Sequence, residues 1–418
     1  MAGATISALA YLTKTVYEEP QNQIDTQTVL LSLLKKARSK ENLTGNLVQF
    51  PVRTAFAEST GYQPEGGTLP TPGVRSGTLA QLYSFYQYGT VQLSGPVAEQ
   101  IRAGEGAYVS VMTDELDGMM ENLGLERNRV GFNDGSGAMV QVLSTAGSGP
   151  YTITLTSTSN PYLIRPNMTL MAYSQRTGGT QRTGTMTVQA VDPSTGIITV
   201  NQLATGIVAN DWLFNGNSSF NNSSGTSYLE PMGLLGIVDD GTYVTTLQGI
   251  SRSTYPIWKA QRWGTVGGSA AFSTALLRQA FSRNSAMGGK VDYLISTPGV
   301  RDAYVAFIEP DRRYTDTLEI DGGFDAVAYT NSGRKVLWVV DKDAPRGVIF
   351  GVELAQLEQF EWRKLDWDDK SGDIWKQGLA PSGGAYIDGY WAMAKGYYNL
   401  GTRRSNSHFR VDGVQEVE

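Results

Sequence analysis

Hydrophobic positions first become periodic after Ile24. Val29, Leu30, Leu33 and Leu34 recur at helical spacing, Asp25 or Thr26 can cap the start, and Lys35, Lys36 and Arg38 suit the negative end. This predicts a short helix over 24–38, docked on something else. Residues 1–23 are weakly patterned, contain Pro20 and read as an extended arm. Alternating Val48, Phe50 and Val52 predict a strand over 47–57, and the run containing Tyr83, Phe85, Tyr86 and Tyr88 predicts another over 79–93. Between them, Glu58 to Thr78 is dominated by Gly, Pro, Thr and Ser. Hairpin loops in compact domains run to about 2–5 residues. A tip this long is either a disordered surface loop or an arm that reaches a neighbouring subunit.

A long helix follows. Ser94 can cap it, Pro96 sits in its first turn, and Val97, Ile101, Tyr108, Val111, Met112, Leu116, Met119 and Leu123 keep a period near 3.6. Gly104, Gly106, Gly118 and Gly124 each cost about 1 kcal/mol against alanine there, so packing must hold it. It ends at the turn cluster Gly131-Phe132-Asn133-Asp134-Gly135-Ser136-Gly137. Over 140–226 charges nearly vanish and Thr and Ser dominate. Tyr151–Thr156, Thr169–Tyr173, Gly184–Val191 and Ile197–Val200 read as strands, with Asp192 to Gly196 as a turn. This predicts a small antiparallel β domain of five or six strands, closed by a polar linker from Asn215 to Thr226. Beyond Met232, helices are expected over Phe272–Asn284 and Pro298–Ile308, with strands over Tyr293–Ser296, Ala326–Tyr329, Val336–Val340 and Val348–Phe350. That order suggests a mixed α/β sheet. Tyr386 to Asn399 alternates aromatic and small residues, as a strand or strand pair would.

Composition narrows the function. At 418 residues the chain exceeds one average domain of about 100–200. Its 34 Lys and Arg against 40 Asp and Glu give −6, which argues against gripping phosphate backbones as the main task. With no cysteine, disulfides and thiolate chemistry are excluded, and a single histidine, His408, excludes His-rich metal sites. No apolar run approaches the roughly 18 residues of a membrane span, and the N-terminus lacks the pattern of a secretory signal, so a soluble cytoplasmic protein is expected. Met287-Gly288-Gly289-Lys290 ends like a phosphate loop, but Asn284 and Val291 break the pattern. Asp366, Asp368, Asp369 and Asp373 could hold a cation or a glycosidase carboxylate pair; their spacing fits no calcium loop, and a solvated turn is favoured. His408, among Arg403, Arg404 and Arg410, reads as a surface or interface residue. No catalytic, cofactor-binding or metal-ligating residue is assigned. The arm, long hairpin and long helix cannot bury their apolar faces within one subunit, which points to an assembly.

Several stretches, taken in order, resemble the tailed-phage major capsid proteins of the Hong Kong 97 type. They are Glu126-Arg127-Asn128-Arg129-Val130 running into the 131–137 turn, Glu230-Pro231-Met232-Gly233-Leu234, Leu247 to Arg252, Pro256-Ile257-Trp258, Ser296 to Tyr304, Arg312-Arg313-Tyr314, and Asp366-Trp367 with Ser371-Gly372. The resemblance covers residues 24 to 410. It implies an α+β capsid fold with an N-arm (1–45), an E-loop hairpin (46–94), a spine helix opening the peripheral domain (95–140), an inserted small β domain (141–228), more peripheral domain (229–290), an axial domain (291–384) and a peripheral return (385–418). It implies a structural protein, not an enzyme, that self-assembles into hexamers and pentamers of an icosahedral head around double-stranded DNA, without tight DNA binding. Tyr62, Pro64, Leu69, Pro72 and Val74 of the hairpin, Leu30 and Leu34, and Arg312, Arg313 and Tyr314 are the expected subunit-interface residues. A separate scaffolding protein, a portal and a decoration protein are the expected partners, in a virion assembled in the host cytoplasm, with no membrane and no cofactor. Some relatives crosslink their shells through an E-loop lysine. This chain has no lysine between Lys40 and Lys259, so a non-crosslinked shell is expected. Rival readings are an encapsulin-like protein-cargo shell, a β-rich carbohydrate-binding protein, and a glycosidase using the 366–369 carboxylates.

Overall fold

The structure is a computed structural model that describes residues 28–36, 38–40, 43, 45–96, 106–147, 149–218, 230–308, 317–320, 324–331, 334–369, 372, 374–379 and 386–417. The expected arm 1–23, Arg312, Arg313, Tyr314 and Asp373 lie outside them. The chain enters with helix α1 (Val29–Lys36) and strand β1 (Arg38–Lys40). Strands β2 (Leu47–Ala55), β3 (Ser76–Tyr83) and β4 (Phe85–Ser94) precede helix α2 (Gly106–Phe132). Six strands follow: β5 (Ala138–Ala146), β6 (Tyr151–Leu155), β7 (Thr169–Tyr173), β8 (Met186–Asp192), β9 (Ile197–Val200) and β10 (Trp212–Asn215). Then come helix α3 (Leu234–Ile237), the short pair β11 (Thr246–Leu247) and β12 (Ile250–Ser251), β13 (Gln261–Gly264), α4 (Thr274–Ala286), β14 (Tyr293–Ser296) and α5 (Pro298–Ile308). The remainder is β15 (Thr317–Ile320), β16 (Phe324–Asn331), β17 (Arg334–Val340), β18 (Ile349–Val352), β19 (Leu357–Trp367), β20 (Trp375–Leu379), β21 (Tyr386–Thr402) and β22 (Phe409–Asp412).

Among the described residues, β2 with β3 and β11 with β12 form two-stranded pairs, and three larger sheet systems hold the other strands. A seven-stranded mixed sheet runs β13-β22-β18-β14-β17-β16-β15, and its hydrophobic cluster includes Leu277 and Phe281 of α4 and Val300 and Tyr304 of α5. A second sheet is centred on the seventeen-residue β21, which pairs with β4 along one edge and with β19 and β20 along the other; β1 adds to β19 in parallel. The six strands β5 to β10 close into a barrel with its own core, which includes Val140, Ile153, Leu170 and Leu213. The expectation of five or six strands holds. The barrel begins at Ala138, slightly earlier than expected, and its first and last strands had not been anticipated.

Three expectations need correction. The strand expected over 79–93 is two strands in different sheets: β3 pairs with β2, and after Ser84 the chain turns so that β4 pairs with β21. Neither glycine nor proline marks that break, which is why the aromatic run reads as continuous. The boundary expected between 384 and 385 falls inside one sheet, since β19 and β20 precede it and both hydrogen-bond to β21. His408 is wholly buried rather than on the surface. Its Nδ1 accepts the Glu353 N–H at 3.2 Å and its Nε2 lies 3.1 Å from the Thr402 hydroxyl. Among the described residues no helix is long and apolar enough to cross a membrane.

Candidate assembly surfaces

Strands β2 and β3 pair from Leu47 opposite Tyr83 to Ala55 opposite Ser76, forming the base of a hairpin whose loop spans 56–75. The base is fixed: the Gln81 N–H donates to the Gln248 carbonyl at 2.8 Å, Asn399 Nδ2 donates to the Tyr83 carbonyl at 2.8 Å, and Phe50 stacks parallel to Phe360 at 6.3 Å. The loop has no such support. Phe56, Tyr62, Leu69 and Val74 are 79, 107, 83 and 90% exposed, and Pro64 and Pro72 are exposed beside them. Large apolar side chains clustered on one projecting element mark a contact surface. Five of the expected interface residues therefore stand where a neighbour could meet them.

Leu30 and Leu34 do not. They are 1% and 5% exposed and pack in the main core with Phe132, Leu234 and Phe360. Their periodicity correctly implies a buried stripe, but the stripe is covered by the subunit's own α2 and β19. This corrects their assignment to an interface.

The last turns of α2 join the parts of the subunit. Arg127 pairs with Glu361 of β19 at 3.2 Å, donates to Gln87 of β4 and lies 4.1 Å over the Tyr398 ring of β21. Asn128 accepts the Leu31 N–H of α1 and donates to Asp341 and Asp343 beyond β17. Arg129 pairs with Glu126 at 2.7 Å and Glu230 at 2.5 Å. Asp134 pairs with Arg176 of the barrel at 2.8 Å, while Arg165 of the barrel donates to Asn122. Asn160 then ties the barrel to the carbonyls of Lys342 and Ala344. The buried arginines Arg127 and Arg129 and the carboxylates Glu230, Glu361 and Asp134 are tolerable here because each faces an opposite charge. The Glu126 to Gly137 stretch, noticed in the sequence as a motif, is thus the structural junction of α1, β4, β19, β21 and the barrel. The turn that ends it uses Gly135 and Gly137 at φ of 79° and 80°.

The acidic cluster resolves into structure. Asp368, almost fully buried, receives Lys395 at 2.8 Å, Lys376 at 3.0 Å and Arg363 at 3.5 Å. Hydrogen bonds from Lys395 and Lys376 pull its carboxyl down to about 2. It clamps β19, β20 and β21 together. It is therefore neither a solvated turn residue nor a group free for acid–base chemistry. Among the described residues no group of three or more His, Cys, Asp or Glu could hold a metal ion. Sequence reasoning missed a second exposed feature. Tyr86 and Tyr88 of β4 and Trp391 of β21 are 55, 55 and 42% exposed on the sheet face turned away from α2, with Tyr86 edge-on to Tyr397 at 4.9 Å. The alternation in Phe85-Tyr86-Gln87-Tyr88 carries that signal, because its odd members face α2 and its even members face out.

No family model matches this chain, and no curated protein does. Among solved structures it is similar to the cyanophage A-1(L) capsid asymmetric unit, with a TM-score of 0.58, 12% identity, and 96% of this chain and 97% of that one covered. It is also similar to a Microbacterium phage Oxtober96 structure (TM-score 0.48, 11% identity, 98% and 99% covered) and to the SrpI encapsulin complex of Synechococcus elongatus (0.46, 9%, 100% and 98%). The first of these carries the comparison: this chain has the fold of a phage capsid protein across nearly its whole length.

Proposed function

We propose that this protein is the major capsid subunit of a tailed phage, assembling as hexamers and pentamers into an icosahedral head around double-stranded DNA. The observation that carries the reading is the near-complete mutual coverage with the cyanophage capsid chain, joined to a projecting hairpin whose apolar tip has no cover among the described residues. In this reading the tip around Tyr62, Leu69 and Val74 lies over an adjacent subunit, and Arg312, Arg313 and Tyr314 contribute to contacts near the symmetry axes. A net charge of −6 suits a shell that contains DNA without gripping it. Scaffolding, portal and decoration proteins are the partners, and assembly takes place in the host cytoplasm.

The reading assigns no catalytic residue. It holds the shell together by burial and strand addition rather than by covalent bonds. Denaturing electrophoresis of purified particles tests the last point: a single band at 45.3 kDa is expected, and a ladder above it would contradict it. Nuclease treatment of intact particles tests the contents. Protected double-stranded DNA is expected, whereas a protein cargo without DNA would favour an encapsulin-like compartment.

A further inference from the structure

Two carboxylates are buried together beneath the start of α1. Asp341 and Asp343 lie on the turn after β17, 2% and 6% exposed. Asn128 Nδ2, on α2, donates to both: it lies 3.2 and 3.1 Å from the two oxygens of Asp341 and 2.7 Å from Asp343. The same groups seat α1. Asp341 accepts the Leu30 N–H at 3.0 Å, and Asn128 Oδ1 accepts the Leu31 N–H at 3.2 Å. The Asp343 N–H also donates to Asp341 at 2.9 Å. An amide NH2 has two protons, and here it faces three carboxylate oxygens.

We propose that Asp341 and Asp343 form a proton-operated latch for helix α1. While the pair holds one proton, the seat carries a single negative charge that the Leu30 N–H and Asn128 can satisfy. When that proton leaves to solvent, two like charges are buried side by side and the seat weakens. Asp343 lines two clefts, of about 390 and 880 Å³, that flank the barrel and give the proton its route out.

The surrounding charges do not cancel the pair. Lys342 on the same turn and Arg165 from the barrel lie within charge range, and both favour ionisation of Asp343. Arg165 is drawn towards Glu126 at 3.9 Å and Asn122. Arg129 from α2, which lines the same clefts, is held by Glu126 and Glu230; Arg346, beyond the turn, pairs with Glu416 at 2.9 Å. Burial, reinforced by Asp341, pushes Asp343 up to about 6, and burial raises Asp341 as well. A carboxyl raised in the seated state takes up a proton on seating between its ordinary value and about 6. The seat is therefore tightest below the ordinary carboxyl value of about 4 and loosens as pH rises from there through about 6.

Hydrogen exchange read by mass spectrometry, at pH 5.5 and 7.5 on the full chain, tests this. For one carboxyl near 6, the protection of 28–36, corrected for intrinsic rates, is expected to fall about fourfold across that interval. A peptide from α4 should keep its protection. In Asp343→Asn the fall over 28–36 should shrink to less than about twofold. If that variant does not fold, the contrast between 28–36 and α4 in the wild type decides alone. Equal protection of 28–36 at both pH values, or an undiminished fall in a folded Asp343→Asn, would overturn the proposal.

Discussion

Asp239 lies fully buried between two arginines that are equally buried, Arg410 at 3.2 Å and Arg252 at 3.4 Å, and it also accepts the N–H groups of Gly241, Tyr243 and Val244. Removing one partner of such a group strands the others without compensation. Asp239→Asn is expected to cost about 3–5 kcal/mol in denaturant unfolding of the unassembled subunit; a loss below 1 kcal/mol would contradict this account of the site. His408 contributes with the opposite pH sense to the α1 seat. Burial, helped by Arg404, lowers its pKa to about 3, so the folded chain holds it neutral while an unfolded chain protonates it below about 6.5. Its contribution is present above that value and is lost as pH falls towards 3. In His408→Gln the acid limb of the stability curve should be shallower by up to about 1.4 kcal/mol per pH unit; unfolding curves collected from pH 7 to 4 would show an unchanged limb if the assignment is wrong. This burial was not legible from the sequence. Arg403, Arg404 and Arg410 around His408 suggest a surface, but Arg410 is buried between neighbouring Asp412 and Asp239, 171 positions away.

At the scale of elements, periodicity located most of what it was asked to locate. The stripe of α1, the start of α5 at Pro298, the strand β14 and four barrel strands all follow from local pattern. What pattern could not supply is which element covers which. The stripe of Leu30 and Leu34 reads the same whether a neighbour or the subunit's own α2 buries it. The division at Ser84 is equally silent, because either side of it favours extended backbone. The packing of β4 on α2 is a close approach that depends on Gly89, where a Cβ would stand 2.8 Å from Leu123 and 2.9 Å from the Met119 sulfur. Gly89→Val should destabilise the subunit by about 1–3 kcal/mol through overpacking, measured by denaturant unfolding. No loss would mean that strand and helix are less tightly apposed than they stand here.

For the whole molecule, the exposed hairpin tip and the charge-poor barrel segment were both visible in composition, since Gly, Pro, Thr and Ser are frequent in the tip and Thr and Ser displace charge in the barrel. The junction at the end of α2 was visible only as a motif; its meaning needed the long-range pairs to Glu361, Glu230 and Arg176. That junction ties the described elements together, and the hairpin tip lies outside it. Deleting residues 58–74 should therefore leave the subunit's unfolding midpoint nearly unchanged while abolishing particles on a sizing column. A deletion that assembled normally would remove the tip from the account. The central claim is that this chain builds a closed shell. Cryo-electron microscopy of the protein produced together with scaffolding and portal proteins tests it most directly. The account predicts icosahedral particles with subunits in fives and sixes and each 56–75 loop lying across an adjacent subunit. A chain that remained monomeric with those partners present would contradict it.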